Sequence, residues 1–326
     1  MFDLHILGTS GSRPTGSRSV SGNYLSTSSG SVIIDCGEGF QSRLIRHELD
    51  LKNNPIGIRA RVSRIKAILL THSHFDHCWG LPPFLKTMQL DGRTEPLTII
   101  APTTIQAINW VQDNYGNEIL PDSGISSSDF AILFRQWNFY IENGVNKNPF
   151  PIKWLLVPID DYAPQVVSIQ PLDGFQLTAI PTKHGVTSVG WLISSKEKKD
   201  RRILISGDTT TNVPSFNELA LSGPLDLLIH EATFTNKFSE KAGHYWHSTA
   251  SDAAKAAVDT NANLLGMIHF SPRIDNLHVM EEEARCIHPH SVACADGDIF
   301  RISDDGRINL MRKQNNSWIL YDTLRT

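Results

Sequence analysis

One apolar run in this chain stops in a crowd of ligating side chains, and it limits the possible folds more than any other feature. In "AILLTHSHFDHCWGLPPF", residues 67–84, His72, His74, Asp76 and His77 stand within six residues. Side chains of an extended chain alternate with period two, so H-x-H places His72 and His74 on one side, where they can hold one ion. Asp76 and His77 follow where Gly80, Pro82 and Pro83 suit a sharp bend, so these two can point to a second ion. Neutral imidazole and carboxylate are both good ligands for zinc and similar divalent cations. A strand that ends in such a cluster is the rim of a site, with a buried sheet behind it.

Other segments share this shape, in which a few apolar residues run into a polar or ionisable one: 31–39, 175–185, 202–210, 225–233 and 263–272. Helix-like stretches at 103–114, 247–260 and 279–288 alternate with them, which implies an α/β architecture with covered sheets. The 326 residues are 40% hydrophobic and 20% charged, a composition that supports a large buried core and excludes a disordered or fibrous chain. We read one compact domain, 1–326, with an aromatic-rich insertion at about 116–165 that could be a lid, an oligomer contact or a segment packed against the body. "SSKEKKDRR" at 194–202 reads as a polar hairpin tip.

The formal net charge of −4 gives no basic field, so a nucleic-acid partner would need a local patch. No apolar run reaches the roughly 18 residues of a membrane span. "MFDLHILGTSGS" reads as a first strand and not as a signal peptide, so no membrane partner and a cytoplasmic location are expected. Cys36, Cys78, Cys286 and Cys294 lie far apart without a CxxC pair and are expected to be buried small apolar residues, not disulfides or zinc ligands.

Two ions need more ligands than one motif supplies. His184 closes "LTAIPTKH", Asp208 closes "RILISGD" and His269 closes "LLGMIH". Each alone would be an ordinary structural residue; together with "THSHFDH" they suit a bridged dinuclear centre. This series, H-x-H-x-D-H and then His, Asp and His at successive strand ends, resembles the metallo-β-lactamase superfamily. The resemblance implies a four-layer αββα sandwich holding two divalent ions, zinc first, with manganese or iron as alternatives. It implies that His72, His74 and His184 bind one metal, that Asp76, His77 and His269 bind the other, and that Asp208 bridges them with a hydroxide. Asp35, closing "SVIID", takes the supporting acidic position that orients ligands.

"LGTSGSRPTGSRSVSGNYL", "IIDCGEGFQSRL", "IHEATF", "HSTASDAAKAA" and "HFSPR" are similar to segments of the ribonuclease Z family. That resemblance implies in-line phosphodiester hydrolysis by the bridging hydroxide, with Asp76 accepting a proton. His247, paired with Glu231, would support the leaving oxygen as general acid or phosphate clamp. As a simpler alternative, His247 or Ser248 starts the helix that follows. Precursor tRNA is the implied substrate and a homodimer the implied assembly. The short members carry a basic arm between the positions of His184 and Asp208; here "GVTSVGWLISSKEKKDRRILISG" leaves only two strands and a turn. Lys196, Lys198, Lys199, Arg201 and Arg202 could form a residual phosphate-binding tip. Rival readings are a phosphodiesterase of small substrates such as cyclic nucleotides, an arylsulfatase-like hydrolase, and a non-catalytic scaffold.

Overall fold

The computed structural model describes residues 1–114, 121, 124–142, 150–196, 201–315 and 317–325. Two sheets face each other. The first takes β1 (Phe2–Gly8), β2 (Gly22–Ser26), β3 (Ser31–Cys36), β4 (Ile65–Leu69), β5 (Leu97–Thr103) and β6 (Ile152–Pro158) from the first half of the chain. The second takes β7 (Gln165–Val166), β8 (Phe175–Pro181), β9 (Val189–Ser195), β10 (Arg202–Ile205), β11 (Leu225–Glu231), β12 (Ala262–Ile268) and β13 (Ser291–Ala293). The chain then returns to the first sheet as β14 (Ile299–Ile302), β15 (Arg307–Gln314) and β16 (Ser317–Arg325). The strand orders are β16-β15-β14-β1-β2-β3-β4-β5-β6 and β13-β12-β11-β10-β9-β8-β7.

Alternation along the strands makes the layers. Val32, Ile34, Ala67 and Leu69 of the first sheet meet Ile203, Ile205, Leu227 and Ile229 of the second in one core between the sheets. Their neighbours Ile33 and Ile68 point outward to α1 (Phe40–Asn53), α3 (Leu81–Leu90) and α5 (Phe130–Glu142). Leu204, Leu228 and Leu265 point outward to α6 (Pro214–Leu221), α8 (Ala250–Asp259) and α9 (His278–Arg285). Of the remaining helices, α2 (Phe75–Cys78) carries Asp76 and His77, α4 (Ile105–Asp113) packs against α5, and α7 (Ser239–His244) ends shortly before His247. The result is the expected αββα order. Each fully buried Leu or Ile contributes about 1.5–3 kcal/mol, so the three cores hold the rim rigidly.

The central strands β3 to β6 pair in parallel, as do β10 to β13, so their carboxyl ends open on a common edge. All six rim-ending segments read from the sequence contain one of these strands or β8. The helix read at 247–260 begins later than His247 or Ser248: Thr249 is its cap, accepting from the Asp252 amide in a reciprocal capping box. His247 is thereby free of a capping task. The turn after His74 is a short helix, not a bend, and the two prolines open α3.

The described part of the aromatic segment packs against the body. Phe130, Phe134, Trp137 and Phe150 are buried in the outer core of the first sheet, with Trp154 against them, and β6 pairs with β5. Cys36, Cys78 and Cys294 are buried as expected; Cys286 is exposed, because it caps the solvent-facing end of α9. Strands β9 and β10 pair antiparallel, and residues 197–200 of the tip read at 194–202 lie outside the described residues. Arg201 and Arg202 do not belong to a solvated tip. Arg201 pairs with Asp226, and the buried Arg202 donates its amide to Asp226 and its guanidinium to the Gly223 carbonyl. No helix among the described residues is long and apolar enough to cross a membrane.

Candidate metal centre

Every candidate ligand read from the sequence arrives at one place. The first sheet supplies His72, His74, Asp76 and His77 just after β4; the second supplies His184 after β8, Asp208 after β10 and His269 after β12. Ligand atoms of His72, His74, His184 and Asp208 lie within 4.8 Å of one another, as do those of Asp76, His77 and His269. In the first group His74 Nδ1 comes within 3.1 Å of both His72 Nε2 and His184 Nε2. In the second, His269 Nε2 and His77 Nε2 lie 3.3 and 3.7 Å from Asp76 Oδ2. Asp208 touches both groups, with Oδ2 at 3.7 Å from His72 Nε2 and 3.3 Å from His269 Nε2.

The rings are aimed by bonds on their far sides, which fixes which nitrogen faces inward. Asp35, at the end of β3, accepts from the Thr71 amide at 2.8 Å and from the Thr71 hydroxyl, and His77 Nδ1–H donates to its Oδ2 at 2.7 Å. Because the Thr71 hydroxyl donates to Asp35, it can accept from His72 Nδ1–H at 3.1 Å. His184 Nδ1–H donates to the Trp246 carbonyl at 2.9 Å. Thr233 Oγ1 donates to Glu231 Oε2 at 2.7 Å and accepts from His269 Nδ1–H at 2.9 Å. Each of these four imidazoles therefore presents Nε2 to the centre, whereas His74 presents Nδ1.

Apart from Asp35, sequence reasoning misses these supports. Thr71 and Thr233 stand inside the quoted "LLTH" and "HEAT" stretches, so adjacency to a ligand is the one signal they give. The Trp246 carbonyl gives none. Nor does the loop behind the second group, where the Ser12 amide donates to Asp76 Oδ2 at 2.6 Å. A Cβ on Gly11 would stand 2.7 Å from His269 Cε1, so only glycine lets this loop approach. Asp35 and His269 adopt φ of 63° and 59° where the chain leaves its strands, a conformation that strains a non-glycine residue.

The residues fit divalent cations on their own chemistry. Asp208 Oδ1 is buried and accepts no hydrogen bond among the described residues, although His77 Nε2 stands 3.4 Å away. A neutral His77, its proton held by Asp35, would set a lone pair against that carboxylate; a cation between the two resolves the conflict. Without one, protons do the work. Burial opposes the His77 imidazolium, yet Asp208, Asp76 and Asp35 raise its pKa well above 6.5. Burial and His184 lower His74 to about 4, leaving its ring neutral and ready to ligate. Burial resists ionisation of Asp208, but His269 and His77 hold it well below the usual carboxylate range.

Beside this cluster lies a pair of different character. His247 Nδ1–H donates to Glu231 Oε1 at 2.8 Å, and Glu231 is held by the amides of Thr209 and Thr233. Burial works against charge on His247, but Glu231 raises its pKa to about 9, so the ring is an imidazolium at neutral pH. His247 Nδ1 is also 3.8 Å from Asp208 Oδ2.

A profile of the metallo-beta-lactamase superfamily matches residues 19–232. A ribonuclease Z of Pseudomonas putida strain KT2440 is 31% identical over 337 residues, covering 95% of this chain and 98% of its own. A ribonuclease Z of Gemmatimonas aurantiaca is 29% identical over 312 residues, covering 90% and 94%. The short form of human tRNase Z has a similar fold, with a TM-score of 0.64 at 24% identity over 92% of this chain and 99% of its own. So has a metallo-beta-lactamase fold protein of Bacillus subtilis, with a TM-score of 0.64 at 18% identity over 92% and 100%. The chain thus belongs to the ribonuclease Z family of the metallo-beta-lactamase superfamily and is a metal-dependent hydrolase.

Proposed function

We propose that this chain hydrolyses phosphodiesters at a centre of two divalent ions, zinc by ligand type, and that precursor tRNA is its substrate. The observation that carries the reading is the His247–Glu231 pair, 2.8 Å apart beside Asp208 and His269. Hydrolysis of a phosphodiester needs a proton donor for the departing oxygen, and an imidazolium held by a carboxylate is one. The names of the relatives support RNA as the substrate class.

In this reading His72, His74 and His184 would hold one ion and Asp76, His77 and His269 the other, with Asp208 within reach of both groups. When bound, the ions acidify water and polarise the phosphoryl group. Asp76, fixed by the Ser12 amide, accepts the proton of the attacking water. His247 spends Nδ1–H on Glu231, which leaves its Nε2–H for the leaving oxygen or a phosphate oxygen. The Thr209 and Thr233 amides keep Glu231 from turning away, so the imidazolium stays aimed.

One observation favours a second reading, a phosphodiesterase of small substrates such as cyclic nucleotides. Between His184 and Asp208 the described residues make only the β9–β10 pair, and the sequence of that interval is short for an arm that would grip a folded RNA. Purified protein supplied with zinc or manganese and offered precursor tRNA, cyclic nucleotides and bis(p-nitrophenyl) phosphate decides between them. Cleavage of the last two but not of the first would sink the tRNA assignment. His247→Ala should keep its metal and lose turnover by about 100-fold or more; loss of metal instead would make His247 a ligand.

A further inference from the structure

We infer that the cavity beside the His72–His74–His184 group is a nucleoside subsite, which takes the uncharged sugar and base next to the scissile phosphate; this rests on the phosphodiester reading above. The cavity measures about 340 Å³, within the range of small-molecule sites, and its wall includes Ser73, Thr104, Gln106, Ser126, Asp129 and Thr187. It borders the centre at residues next to the histidines in the chain. Ser73 stands between two of the histidines, and Gly185 to Thr187, all on the wall, directly follow the third.

The lining selects the ligand class. Among the described residues it holds no lysine or arginine, so nothing there would balance a phosphate. Its one charged group is already engaged: Asp129 accepts from Thr103 Oγ1 at 2.5 Å, from the Ala131 amide at 2.9 Å and from the Thr104 amide at 3.3 Å. That carboxylate sits at the starts of α4 and α5 and offsets their partial positive charge, which leaves the cavity near neutral. A hydrocarbon would strand the hydroxyls and the amide that line it. Sugar hydroxyls and base edges match them.

An exposed indole stands next to the wall at Gly185. The indole of Trp246 lies against Gly185, with Cδ1 3.8 Å from the place a Cβ would take. Trp246 is 50% exposed and holds a φ of 58°, so a bulky apolar side chain is kept in water on a strained backbone. Its carbonyl, bonded to His184, keeps it there. An exposed indole face is a platform on which any base can stack.

The test compares two esters with one leaving group, uridine 5′-(p-nitrophenyl phosphate) and bis(p-nitrophenyl) phosphate, on the zinc-loaded enzyme. Ser126→Tyr, which fills the cavity, should raise KM for the uridine ester about tenfold or more and change kcat/KM for the other less than about twofold. Gln106→Ala should raise the same KM about twofold to tenfold, as loss of one hydrogen bond does. Ligand-observed NMR on chelator-treated protein should show free uridine bound, displaced by Ser126→Tyr and not by inorganic phosphate. Equal losses on both esters, no change on either, or competition by phosphate would each overturn the subsite. If the unaltered enzyme cleaves neither ester nor precursor tRNA, the phosphodiester reading falls, while the uridine titration still judges the cavity by itself.

Discussion

Replacing Asp35 by asparagine tests whether the centre depends on a group that touches no ion. The swap Asp35→Asn keeps shape and volume and removes only charge and one acceptor. The amide oxygen of the substituted side chain can still accept from the Thr71 amide, as Asp35 does at 2.8 Å. The other end becomes an NH₂ donor facing His77 Nδ1–H, where the carboxylate now accepts at 2.7 Å. Two donors cannot share that contact. Flipping the amide moves the clash onto the Thr71 amide, so His77 is driven to carry its proton on Nε2, which faces Asp76 and Asp208. The lone pair meant for the ion is then lost. A charge-assisted hydrogen bond contributes about 1.5–3 kcal/mol. At roughly 1.4 kcal/mol per decade, the second group should bind about 10- to 100-fold more weakly. Competition with a chromophoric zinc chelator resolves the two affinities. We expect one weakened site and one near its original strength, because Thr71 still supports His72. Two unaltered sites, or two weakened equally, would refute the reasoning.

Three further outcomes follow from the same geometry. His247 is raised from 6.5 to about 9, so in chelator-treated protein its pairing should add about 3 kcal/mol that is complete below pH 6.5 and lost as pH rises through 9. Glu231→Gln should flatten that alkaline slope in urea unfolding; an unchanged slope would mean that the pair is not its source. Gly11→Ala should push His269 off its position, since the added methyl stands 2.7 Å from the ring, and weaken the second metal site by about tenfold, read by metal analysis after dialysis. Asp208→Ala should abolish turnover of bis(p-nitrophenyl) phosphate and lower the content of both ions; retained turnover would refute a shared carboxylate.

The candidate ligands can be read from the sequence because they follow apolar runs, and burial of a strand leaves few reasons for His or Asp at its tip. Asp35 is legible for the same reason. Thr71 and Thr233 are not, because a threonine beside a ligand is common and its second bond, to Asp35 or to Glu231, links positions that the sequence does not join by any motif. Trp246 acts on His184 through its carbonyl, which every residue type carries. Arg201 and Arg202 mislead because a charge run reads as solvated; Asp226, from the neighbouring strand, claims both. The aromatic segment offers no period to read, and its place in the outer core depends on β5, some fifty residues upstream, offering β6 an edge.

The two candidate metal groups draw on both sheets, since His72, His74, Asp76 and His77 come from one and His184, Asp208 and His269 from the other. A bound ion is therefore a clasp across the sandwich, closing loops of more than a hundred residues that an unfolded chain seldom closes. Ligand at a thousand times its dissociation constant adds about 4 kcal/mol to a folded state that alone can bind it. Metal supply should then set how long the protein survives heat or proteolysis as well as whether it turns over substrate.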